Sequence, residues 1–153
     1  MKPQKKINVK RIVTYILVAL AALALYFGLV HLVLMAANVS KSAPTTVYGL
    51  TSKRQWALVV LGLALVSVVI GGRTLRQSAS RISLLKGKRW AIVAIVAGLL
   101  AVITGGLNLA TANGGPGSGN GVLGNAQALV LGLIGMLLGG LAMARLRRKN
   151  LNS

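Results

Sequence analysis

Four stretches of this chain stay apolar long enough to cross a bilayer, and polar segments separate them. The first, 12–37, is broken only by Thr14, Tyr15, Tyr26 and His31. The others are 56–72, opening at Trp56, then 90–112, opening at Trp90, and 122–144. At 1.5 Å per residue, about 20 helical residues span a hydrocarbon core of roughly 30 Å. The pattern therefore predicts transmembrane helices, the second of them short. Between them lie a basic head at 1–11, a Pro44-containing loop at 38–55 and a basic segment at 73–89. The turn at 113–121 reads Asn-Gly-Gly-Pro-Gly-Ser-Gly-Asn-Gly, which no helix tolerates, and a basic tail follows at 145–153. The expected fold is all-α, an integral membrane bundle of four transmembrane helices.

A basic head before an apolar run also describes a signal peptide. A cleaved signal has an apolar region of only about 7–15 residues, so 12–37 reads better as a retained signal anchor. The small pair Ala36-Ala37 keeps cleavage as the minor alternative.

Charge sets the orientation. The chain has 18 Lys and Arg residues and no Asp or Glu, so its cations have no side-chain carboxylate of their own to meet. Fifteen of the 18 sit in the head, the 73–89 segment and the tail. Lys41, Lys53 and Arg54 are the remaining three. The positive-inside rule then puts both termini and the middle segment in the cytoplasm. Nucleic-acid binding is the other reading of such a charge, but one Phe, two Trp and three Tyr leave little to stack on bases. Within 73–89, Arg73, Arg76, Arg81, Lys86, Lys88 and Arg89 are the candidate contacts to lipid phosphate. Leu75, Ile82 and Leu85 would give a short surface helix one apolar edge, with a solvated basic loop as the plain alternative.

The last three spans share a period. Gly71-Gly72, Gly105-Gly106 and Gly139-Gly140 follow one another at 34 residues, and the same shift carries Trp56 onto Trp90 and Gly98 onto Gly132. A duplicated helix is the favoured explanation, against chance matching of Leu, Val, Ala and Gly runs. Small residues fall on helical stripes: Gly124, Ala128, Gly132 and Gly140 in the fourth span, with Gly135 and Gly139 beside them, and Ala97, Ala101 and Gly105 in the third. With Gly71, Gly72, Gly98 and Gly106 these are the expected helix-packing positions. In lipid, helices gain by close backbone approach at small residues rather than by hydrophobic burial. Asn108 and Asn125 stand equally far from the middle of the glycine turn, so an antiparallel hairpin would pair them. His31, Thr104 and Gln127 are candidates for a polar vestibule on that side; interhelical bonding near a wet interface is the plainer reading.

Candidate chemistry is sparse. There is no Cys, no carboxylate side chain and a single His, which removes thiolate, triad, paired-carboxylate and Mg-dependent chemistry. The glycine turn has no Gly-Lys-Ser/Thr and is not a P-loop. No enzyme activity, metal or cofactor is expected.

Tyr48-Gly49-Leu50-Thr51, Val69-Ile70-Gly71-Gly72, the 113–121 turn and Leu131-Gly132-Leu133-Ile134-Gly135 together resemble an uncharacterised family of small bacterial, largely actinobacterial, membrane proteins. The resemblance covers about 48–148. It implies a multi-pass protein of the bacterial cytoplasmic (inner) membrane, and it carries no catalytic residues. The leading expectation is a non-enzymatic structural, assembly or accessory subunit that packs through glycine-rich helix faces. Its expected partners are membrane lipid, with anionic headgroups on the cytoplasmic side, and a second copy or a larger membrane protein. The alternatives are a small transporter or channel with a pathway between the repeated helices, and an anionic-lipid-binding protein.

Overall fold

A computed structural model describes residues 9–39, 41, 46–78 and 84–151. Among them the regular structure is entirely α-helical: α1 (Val9–Ala36), α2 (Ser52–Gln77), α3 (Leu84–Ala110) and α4 (Val122–Leu151). Each contains a segment apolar enough to cross a membrane, with mean hydropathy between 2.0 and 2.5. Although α1 and α3 stop at Ala36 and Ala110, one and two residues before the expected ends, each helix is longer than the apolar stretch that predicts it. The clearest case is α2, which extends 56–72 at both ends. The reason is length. Helices of 26 to 30 residues measure about 39–45 Å, so their polar ends pass beyond a hydrocarbon core of roughly 30 Å. Arg73 and Arg76 thus ride on the last turns of α2, and Lys86, Lys88 and Arg89 on the first turns of α3. Arg81 and Ile82 lie outside the described residues, as does the start of the basic head.

Local signals close the helices. Asn38 takes a left-handed φ of 56° just past α1, and the Val39 N–H returns to the Leu34 carbonyl at 3.0 Å. Thr51 caps α2, its hydroxyl accepting from the Arg54 N–H at 3.3 Å.

α2, α3 and α4 pack against one another, with α3 antiparallel to the other two, and α1 leans on α4. The interior is built from small residues. Ala64, Ala91, Ala94, Ala101, Ala126 and Ala128 are all fully buried, while Leu58, Leu65, Leu107 and Leu137 point outward. A soluble domain buries its large apolar side chains; this one shows them to its surroundings and keeps alanine and glycine inside, as helices packed in lipid do. α1 is attached at its far end, where Val30, Leu34 and Val39 join a cluster with Leu109, Val122, Ala126 and Val130.

Within each Gly-Gly pair the two residues differ. Gly71, Gly105 and Gly139 are buried, and a Cβ on them would stand 3.0 Å from Leu138 Cβ, 2.9 Å from the Asn125 carbonyl and 2.9 Å from Ile95 Cγ1, respectively. Gly72 and Gly106 make only ordinary contacts through their partners' side chains, and a Cβ on Gly140 would meet nothing within 4 Å among the described residues. Gly140 is therefore not a packing residue here. The second glycine of its pair is turned about 100° around the helix from the first, away from the contact.

Candidate functional site

The middle of the three-helix core is a neck. Ser67, fully buried on α2, donates to the Ala94 carbonyl of α3 at 2.7 Å. A Cβ on Gly98 would stand 2.6 Å from the Gly132 carbonyl and 2.8 Å from Ser67 Oγ. A Cβ on Gly135 would run into the same Ser67 hydroxyl. The three backbones meet here through three glycines, Gly98, Gly132 and Gly135, and a serine, leaving no room for a methyl group. Ser67 escapes a sequence reading centred on glycine, although a lone hydroxyl between Val66 and Val68 was the available signal.

Above and below the neck the helices part. At the Asn108 end, Lys53 and Trp56 of α2, Thr104 and Asn108 of α3, and Asn120 and Asn125 line a cavity of about 310 Å³. Asn125 is fully buried, and its Oδ1 accepts from Asn108 Nδ2 at 3.3 Å. An amide oxygen at that depth needs a donor, and the adjacent helix supplies it. Thr104 shares this cavity; His31 is exposed on α1 and Gln127 half-buried on α4, and neither lines it. The structure thus gathers three of the five expected polar residues.

At the Arg73 end a larger cavity of about 490 Å³ lies between α2, α3 and the last turns of α4. Arg73 and Lys86 face it from α2 and α3, and Ile70, Trp90 and Leu146 give it apolar walls. Thr74 and Ser78 also line it, but their hydroxyls donate to the Ile70 and Leu75 carbonyls at 2.8 and 2.7 Å. Arg76, Lys88 and Arg89, although on the same turns, are not part of its lining. The two cavities repeat each other in register. Ile70, Thr74, Gln77 and Ser78 line one; Thr104, Asn108, Thr111 and Ala112, each 34 positions later, line the other. Trp56 and Trp90 bear the same relation.

The glycine turn is strapped to the start of α2. The Val47 N–H donates to the Gly117 carbonyl at 3.0 Å, and the Thr51 hydroxyl donates to the Gly119 carbonyl at 2.5 Å. Arg54 donates to the Gly49 carbonyl at 2.6 Å and to that of Gly117 at 3.5 Å. With no carboxylate to meet, this guanidinium is satisfied by backbone oxygen. Gly115 lies so close to the Lys41 carbonyl that a side chain there would collide with it. Gly114, Gly117, Gly119 and Gly121 have φ between 65° and 97°, the left-handed region where glycine is unstrained. The segments around Tyr48 and Gly117, separate in sequence, form one unit.

Four long apolar helices with small residues inside and large apolar ones outside define the class: a multi-pass membrane protein. Residues 52–150 match the family of unknown function DUF6223, and the chain belongs to that family. The match takes in α2, α3 and nearly all of α4, the part that holds the neck and both cavities. No curated protein and no solved structure matches the chain.

Proposed function

We propose that the protein is a non-enzymatic structural or accessory component of the bacterial cytoplasmic membrane, with both termini in the cytoplasm. The observation that carries this reading is the neck: the glycine-rich faces of α2, α3 and α4 are consumed in packing against one another within one chain. Such a core is a rigid platform, and the same contacts stand in the way of a pathway between the repeated helices. The reading differs from the sequence-based expectation in one respect. Most of the small-residue positions that would have joined a second copy or a larger partner are spent internally, Gly140 being the exception. Any assembly therefore uses the outer, leucine-rich surface on which Gly140 lies, and α1. The absence of Asp, Glu and Cys from the whole sequence supports a non-catalytic role.

The in-register repetition of the two cavities supports descent of α2 and α3 from one duplicated helix in opposite orientations. Flux through liposomes tests the functional reading. Purified protein in sealed vesicles is expected to pass small anions, cations and neutral solutes no faster than protein-free vesicles. A saturable, solute-selective flux would replace the structural reading with transport.

A further inference from the structure

We infer that the cavity at the Arg73 end is a seat for the phosphate of one anionic membrane lipid, held between Arg73 and Lys86. The two cations come from different helices and face one open cavity of about 490 Å³. That falls in the usual range for small-molecule sites, about 300–1,000 Å³. The chain has no Asp or Glu anywhere, so the counter-ion for this pair comes from outside its side chains. The Thr74 and Ser78 hydroxyls spend their protons on backbone carbonyls. The guanidinium and ammonium groups are then the charged donors that a phosphate oxygen would meet, with the Gln77 amide and the Trp90 indole N–H lining the same cavity.

The walls distinguish a lipid from a free phosphate. Ile70, Trp90 and Leu146 form an apolar side to the same cavity, just where the apolar part of α3 begins. A soluble anion makes no use of such a wall, whereas the glycerol and upper acyl chain of a lipid would lie against it, with the indole at the level of the headgroups. The companion cavity acts as an internal comparison. Leu107 stands where the repeat would put a second Arg73, and Asn120 where it would put a second Lys86. The splayed end of a bundle therefore does not by itself create this pair of charges. The site needs only that the chain is embedded in a membrane, and it stands whether or not the protein has a protein partner.

Native mass spectrometry of the full chain in mild detergent, with phosphatidylglycerol or phosphatidylcholine added, tests the assignment. Wild type is expected to retain one phosphatidylglycerol per chain and to prefer it over phosphatidylcholine. R73Q/K86Q is expected to hold it about tenfold more weakly or worse, a difference of about 1.4 kcal/mol. R147Q/R148Q removes the same charge outside the cavity and is expected to bind like wild type. Equal loss in both double variants would mean diffuse attraction and would overturn the site. Displacement of the lipid by millimolar inorganic phosphate would overturn the lipid as its occupant. A second measurement needs no change in the cavity. In W56F protein, which keeps Trp90, phosphatidylglycerol with brominated chains is expected to quench fluorescence at lower mole fraction than brominated phosphatidylcholine. Identical quenching by the two lipids would refute the proposal.

Discussion

Gly98 and Gly140 are the same residue type on neighbouring helices, yet adding a methyl group should have opposite consequences. In an exposed helix Gly→Ala is favourable by roughly 0.5–1 kcal/mol, because alanine loses less backbone freedom on folding. G140A places its methyl in open space and should leave stability unchanged or slightly raised. G98A drives it into the Gly132 carbonyl and the Ser67 hydroxyl, and G135A into Ser67. Overpacking of this kind costs about 1–3 kcal/mol. Unfolding in mixed micelles, followed by far-UV circular dichroism, should rank G140A at or above wild type and both neck variants below it.

The asparagines make a second residue-scale case. N108L removes the donor and leaves the buried Asn125 oxygen unpaired, while N125L removes the acceptor. Each should cost about 0.6–2 kcal/mol, the range for polar pairs between membrane helices. In the double variant the loss should be less than the sum of the two, since the pair is broken only once. Additive losses in the same unfolding assay would mean that the two amides do not act together.

Among the elements, the glycine turn depends most on its neighbours. It has no helix or strand of its own, and its conformation is tied to α2 by Thr51 and Arg54. T51A removes both the cap of α2 and the bond to Gly119, and should cost about 0.5–2 kcal/mol, as loss of a helix cap does. R54Q should release the turn with less effect on the helix. Hydrogen exchange should report this as faster exchange at Val47, whose amide is bonded to Gly117, with unchanged protection in the middle of α2. α1 is the contrasting element. Its attachment is confined to its last turns, so L34A should loosen α1 from α4 without altering protection at the Ser67 neck.

At the scale of the whole molecule, orientation is the property most open to direct measurement. The natural chain has no cysteine, so a single introduced thiol reads out one position without background. An impermeant maleimide applied to intact cells should label S118C in the glycine turn and should leave R147C in the tail unlabelled until the membrane is opened. The reverse pattern would invert the bundle, and with it the leaflet that supplies the lipid at Arg73.

Much of this organisation is legible along the chain because a bilayer imposes one-dimensional rules. Every backbone polar group must be satisfied within its own segment, so long apolar runs become helices, and a loop of glycine and proline becomes a turn. The charge bias then suggests which side each loop occupies, and counting from the turn sets Asn108 and Asn125 at one depth. Tertiary structure decided what counting along a helix cannot: which azimuth of each helix faces another. Gly139 packs and Gly140 does not, although both carry the same period. Ser67, not a glycine, sits at the centre of the neck. Arg54 serves the backbone of a distant turn, whereas Arg73 meets Lys86 across a cavity. Apolar side chains suit lipid and protein neighbours equally well, so hydropathy could not choose among the faces; steric fit between backbones, a property of pairs of helices, made the choice.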